Sequence, residues 1–289
     1  MGKKEFVTIH EITLRDGLQN IKKFIPTDNK IKLLNLLLEA GAINIECTSF
    51  VSPRWVPQMA DAKELIQRIG QINHIRKFVL IPNMKGYDLA FASGIKEMVT
   101  FISASEIHNQ NNINRTVKES LEELKAIGKR AEQDGVTVRA NIATAFGYQQ
   151  EEYISTDKIF SIAEVLHEAG YKGITLCDTT GVANPDQVYS LIRLLIKQFS
   201  KDVIAIHLHQ CEGIEFANAF AAYSAGIRIF ESAAGGLGGC PYAFGANGNI
   251  PTELLVRMFN SMNVDCGINL EKIYNAADYA KKLQLAYSK

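Results

Sequence analysis

The sequence has no long apolar run, no surplus of either charge and few cysteines, and each shortage removes a class of protein. No stretch of about 18 consecutive apolar residues occurs, which excludes a transmembrane helix. The 31 basic and 31 acidic residues cancel to a formal net charge of zero, and no long basic run appears. Nothing therefore draws the chain to nucleic acid or to an anionic membrane, and a small molecule is the expected partner. The five cysteines, Cys47, Cys177, Cys211, Cys240 and Cys266, are odd in number, widely spaced and free of any C-x-x-C pair. That argues against a disulfide framework and a structural zinc site, and fits reduced thiols in a cytoplasmic protein. The opening MGKKEFVTIH carries no apolar core ahead of a cleavage site and no Arg/Ser-rich amphipathic segment, and Phe6 stands where a myristoylation signal needs Ser or Thr. P-loop and Rossmann fingerprints are missing too.

What is present is a rhythm. With 47% hydrophobic content in 289 residues the chain can build one large core. Short β-branched runs alternate with longer segments of helical period from one end to the other. Strands are predicted at Phe6–Ile12, Ile43–Cys47, Lys77–Ile81, Glu97–Ile102, Val136–Ile142, Gly173–Cys177, Val203–Leu208 and Arg228–Ser232. Helices are predicted at Thr27–Ala40, Pro57–Ile69, Gly86–Ala92, Thr116–Asp134, Ser155–Ala169, Asn184–Phe199, Ile214–Ala225 and after Pro251. Eight such pairs predict a (β/α)8 TIM barrel, with an extra C-terminal helix over Leu270–Leu285; an open doubly wound sheet is the alternative. Without a Pro/Ser-rich linker or low-complexity tract, residues 1–289 are read as a single domain.

A barrel of this kind forms its active site at the C-terminal ends of its strands. Reactive side chains collect there: Arg15 and Asp16 after strand one, Glu46 at the end of strand two, Asn83 after three, Ser105 and Glu106 after four, Asn141 near the end of five, and Asp178 at the end of six. His207 and His209 end strand seven. Residues i and i+2 of a strand face the same side, so these two imidazoles can share one ion, with Asp16 and Asn249 as oxygen donors. Such a set suits Mg²⁺ or Mn²⁺ if waters remain on the ion, and Zn²⁺ if it tightens to four ligands. The segment ESAAGGLGGCPYAFGANGNIPTE, Glu231 to Glu253, places six glycines between Gly235 and Gly248 and reads as a loop closing over a ligand. Each residue also has a plainer use. A carboxylate at a strand end can cap a helix or pair with Arg15, and a free cysteine is usually a small buried hydrophobe. Cys47 and Cys177, inside strand patterns, are read that way.

Over nearly the whole chain, the segments RDGLQN (Arg15–Asn20), IECTSFVSPRWVPQM (Ile45–Met59), the H-x-H at His207–His209, DTTG (Asp178–Gly181) and GGLGGCPYAFGANGN (Gly235–Asn249) resemble the 3-hydroxy-3-methylglutaryl-CoA lyases. The resemblance implies that Asp16, His207, His209 and Asn249 hold Mg²⁺ or Mn²⁺. It implies that Arg15, Glu46, Asp178 and Cys240 act on the substrate, and that Glu253 supports the site. The general base is Asp16 or His207. The implied reaction cleaves 3-hydroxy-3-methylglutaryl-CoA, or a related 3-hydroxyacyl-CoA, to acetyl-CoA and a 3-oxo acid such as acetoacetate, as in leucine degradation, in a homodimer. The alternatives are condensation on a 2-oxo acid and a non-catalytic acyl-CoA-binding homologue. Contacts to CoA are expected from Lys22, Lys23, Arg54 and Asn112. The chain departs from the family at HLHQCEG (His207–Gly213), where Asp, Thr and Tyr usually follow the histidines, and at TAFGYQQ (Thr144–Gln150).

Overall fold

A computed structural model describes residues 5–70, 72, 74–148, 153–239 and 247–288. Eight parallel strands, β1 (Thr8–Glu11), β2 (Asn44–Ser49), β3 (Arg76–Leu80), β4 (Glu97–Ser103), β5 (Thr137–Ala143), β6 (Ile174–Asp178), β7 (Ile204–Leu208) and β8 (Ile229–Ser232), pair in sequence order, and β8 closes on β1 through Thr8↔Ile229 to Glu11↔Ser232. The expected TIM barrel is what forms, and the doubly wound sheet is not. Strands covered on both faces read as apolar runs, and β6 and β7 are buried at every position.

Ten α-helices surround the barrel among the described residues: α1 (Thr27–Glu39), α2 (Ala62–Ile69), α3 (Met84–Ala92), α4 (Glu106–Ile113), α5 (Val117–Asp134), α6 (Thr156–Glu168), α7 (Pro185–Gln198), α8 (Ile214–Ala225), α9 (Thr252–Ser261) and α10 (Leu270–Tyr287). Local chemistry sets their ends. Thr116 and Glu119 form a reciprocal capping box at the start of α5, and Asn184 with Gln187 does the same for α7, whose first residue is Pro185. The apolar stripe of α1 includes the fully buried Leu33, Leu34 and Leu37.

One departure from the sequence reading and one agreement matter for the site. Ser105 and Glu106 were expected to serve the strand-four end as reactive groups, but they start α4. The Ser105 side chain accepts from the His108 amide at 3.0 Å, and Glu106 accepts from the Val117 amide at 2.9 Å, so both satisfy helix starts. The expected C-terminal helix is present as α10. Its alanines at 276, 277 and 280 are buried, and a Cβ on Gly235 would lie 3.1 Å from the Ala277 carbonyl, so this helix buttresses the chain just after β8.

Candidate active site

Directly after β1 the chain enters a π-helical turn, Thr13–Gly17, in which the amides of Arg15, Asp16 and Gly17 all reach the Ile12 carbonyl at 3.2, 2.8 and 3.2 Å. Glu11 anchors it. Its carboxylate accepts from the Thr13 amide (3.0 Å), the Thr13 hydroxyl, the Ala234 amide (3.3 Å) and the Thr252 hydroxyl (2.6 Å), tying the first turn to the chain after β8 and to α9. Burial pushes this carboxyl from 4.5 up to about 7, against those hydrogen bonds. A raised folded value means stability that is fully present below the ordinary pKa and lost as pH rises through about 7. Wild type should lose about 2 kcal/mol more than Glu11→Gln between pH 5 and pH 8 in urea unfolding. Parallel pH profiles for the two proteins would show that Glu11 is ionised throughout.

The turn presents Arg15 and Asp16 to a cavity of about 610 Å³ at the C-terminal end of the barrel. Arg15 is buried; its Nε donates to Glu46 on β2 at 2.7 Å and its Nη1 donates to Asp16. Burial works against the guanidinium charge, but the Glu46 and Asp16 carboxylates more than restore it. Glu46 does not line the cavity and lies behind Arg15, and its carboxyl rises to about 7 through burial, with Arg15 pulling it down and Glu231 pushing it up. Asp16 is the one carboxylate among the lining residues described. Burial opposes its charge, yet Arg15, His207, His209 and a 2.6 Å bond from the Asn249 amide hold it ionised.

Both histidines of the H-x-H pair are buried and face the cavity. His207 Nδ1 meets a Glu231 carboxylate oxygen at 3.0 Å, and His209 Nδ1 meets the Asn247 carbonyl at 2.9 Å. Carboxylate and carbonyl only accept, so each Nδ1 carries the hydrogen and each Nε2 is left to face the cavity. The two Nε2 atoms stand 3.1 Å apart. With no cation a proton has to sit between them; two ligands at right angles on an ion about 2.1 Å from each would be about 3 Å apart. Asn249, joined to His209 by a β-bridge, supplies a second sign. Its Nδ2 donates to both Asp16 and the Leu237 carbonyl (2.8 Å), which fixes the amide's orientation and leaves a buried Oδ1 with no partner. These donors fit a divalent ion. Among the described residues no three His, Cys, Asp or Glu side chains form a ready cage, and the Asp16 oxygens are engaged by Arg15, Gln19 and Asn249.

A profile of the HMGL-like family matches residues 6–279. The chain belongs to the HMGL-like family. Hydroxymethylglutaryl-CoA lyase YngG of Bacillus subtilis is 40% identical over 276 residues, spanning 96% of this chain and 92% of that one. The human cytoplasmic 3-hydroxy-3-methylglutaryl-CoA lyase is 40% identical over 97% of this chain and 76% of its own length. The crystal structure of the HMG-CoA lyase from Brucella melitensis matches with a TM-score of 0.92 at 37% identity, covering 97% of this chain and 99% of that chain. An A. baumannii HMG-CoA lyase in complex with coenzyme A and 3-methylmalate also reaches 0.92, at 36% identity over 96% of this chain and 91% of its own.

The remaining residues implied by the resemblance fall both on and off the cavity wall. Asp178 is turned away from the cavity and accepts from the amides of Val182 (2.9 Å) and Ala183 (3.2 Å); burial raises its carboxyl to about 6. Glu253 accepts from the Gly235 amide at 2.9 Å and supports the chain after β8. Cys240 lies outside the described residues. Lys22, Lys23 and Arg54 are exposed and do not line the cavity, since the segment after the first turn runs outward and its Lys23 amide is tied to the Tyr287 carbonyl. Asn112 does line it, together with Trp55 and Arg115. Glu231 received no role from the sequence, although the pairing His207↔Glu231 follows from β7 and β8 being neighbours. Ser49 Oγ and Asn141 Oδ1, two more buried polar atoms without partners, line the same cavity.

Proposed function

We propose that this protein is a divalent-metal-dependent lyase that cleaves 3-hydroxy-3-methylglutaryl-CoA, or a close 3-hydroxyacyl-CoA, to acetyl-CoA and a 3-oxo acid. One observation carries the reading: a buried, doubly braced guanidinium shares a cavity with two imidazoles whose Nε2 atoms converge. Mg²⁺ or Mn²⁺ bound by His207, His209, Asn249 and Asp16 would lower the pKa of the substrate's C3 hydroxyl. Asp16, the one carboxylate on the described wall, takes the hydroxyl proton through the carboxylate oxygen that does not hold the ion. As the C2–C3 bond breaks, its electron pair passes to the thioester, and Arg15 stabilises the enolate oxygen that forms. Glu46 acts through Arg15 by fixing the plane of its guanidinium. Cys240 returns a proton to the enolate carbon. Asn112, Arg115 and Trp55 receive the CoA portion, and Ser49 and Asn141 meet the polar end of the acyl group.

No helix among the described residues is long and apolar enough to cross a membrane; we place the protein in the cytoplasm as a homodimer, a state that sedimentation checks. Protein stripped with chelator and reloaded with Mg²⁺ or Mn²⁺ should release acetyl-CoA from a 3-hydroxyacyl-CoA panel only in the reloaded form. Silence on every thioester would sink the lyase assignment, and acetyl-CoA consumption with an added 2-oxo acid would move the protein to the condensing enzymes.

A further inference from the structure

Gln210, which follows the H-x-H pair, closes a neck. Its side-chain NH₂ donates to the carbonyls of Gly236 (3.0 Å) and Asn249 (2.9 Å), while its own amide donates to the Gly248 carbonyl at 2.8 Å. The two strands of chain it joins already touch: a Cβ on Gly248 would fall 1.9 Å from the Gly236 carbonyl oxygen, and one on Gly236 would fall 2.5 Å from Gln210 Nε2. Gly248 is therefore required by contact with backbone, and Gly236 by its positive φ of 68°. Asn249 sits inside this neck, with its amide nitrogen side spent on Asp16 and Leu237 and its Oδ1 unpartnered.

We infer that Gln210 is the positioning residue for Asn249, holding its backbone so that Oδ1 faces the cation; the inference rests on the metal reading above. Two carbonyl acceptors demand a donor, and a carboxylate of the same length would set its oxygens against theirs. The effect reaches the cation through the backbone of Asn249, so Gln210 touches neither ion nor substrate.

The test is a Mn²⁺ titration of metal-free wild type, Gln210→Glu and Gln210→Met, following free Mn²⁺ by electron paramagnetic resonance, with thermal unfolding of each metal-free protein alongside. Both variants should bind Mn²⁺ about 10-fold more weakly, the usual effect of removing a partner that orients a ligand. Raising Mn²⁺ should then restore most of their acetyl-CoA release. Met serves as the isosteric variant without added charge should Glu impair folding. Wild-type Mn²⁺ affinity in both variants, with or without a lowered melting temperature, would overturn the inference and leave the lyase reading intact. Failure of wild type itself to bind Mn²⁺ would overturn both.

Discussion

Replacing Arg15 by Gln is expected to lower acetyl-CoA release by about 10²–10³-fold while leaving Mn²⁺ affinity nearly unchanged. The expectation rests on where the guanidinium is and on what it costs to keep it there. A buried cation is tolerated because Glu46 accepts from Nε at 2.7 Å and Asp16 accepts from Nη1, which fixes the plane and leaves the rest of the group to the cavity. Charge that develops on an enolate oxygen is stabilised most by a donor that does not have to reorganise. Lysine cannot reproduce this, because a single ammonium has no fork to fix against two carboxylates, so Arg15→Lys should recover little. The fold should survive, since Glu46 already sits at about 7 and can take up a proton when its partner is removed. Steady-state kinetics with a Mn²⁺ titration and a melting curve separate the outcomes. A loss of only a few-fold with intact melting would mean that the enolate is stabilised elsewhere.

The barrel was legible because eight apolar runs separated by amphipathic helices admit few packings, and the H-x-H pair because strand periodicity alone places two residues on one face. Orientation at strand ends was not. Asp178 is the last residue of β6, and a carboxylate there can point into the cavity or back to the amides of the following turn; the choice depends on the path of Gly181–Ala183, to which sequence periodicity is blind. Glu46 was legible both as a site residue and as a partner for Arg15, and the structure shows the pairing. Gln210 could be seen to differ from its relatives, yet its role depends on two carbonyls 26 and 39 residues away. Long-range pairing of this kind leaves no local signal.

Glu231 is the clearest such case, and Glu231→Gln should weaken Mn²⁺ binding by about 10–100-fold, with turnover falling in step at limiting metal. The carboxylate does one thing an amide cannot: both its oxygens accept. One takes the Thr175 hydroxyl at 3.1 Å and the other the His207 Nδ1 hydrogen at 3.0 Å, which keeps a hydrogen on Nδ1 and turns Nε2 toward His209. A glutamine can turn its NH₂ toward His207, and the ring then accepts at Nδ1 and carries its hydrogen on Nε2, aimed at His209. A proton in that gap competes directly with a cation. That hydrogen belongs to the neutral ring, so the loss of Mn²⁺ affinity should persist at and above neutral pH, and nitrogen-15 chemical shifts of the His207 ring in the metal-free protein should report the altered tautomer. Arg139 lies 4.0 Å from Glu231 but keeps Glu97 at 3.0 Å, so the loss of one carboxylate charge leaves it paired and the barrel folded. Unchanged Mn²⁺ affinity together with an unchanged ring tautomer would show that the Asn247 bond to His209 alone sets the geometry of the pair.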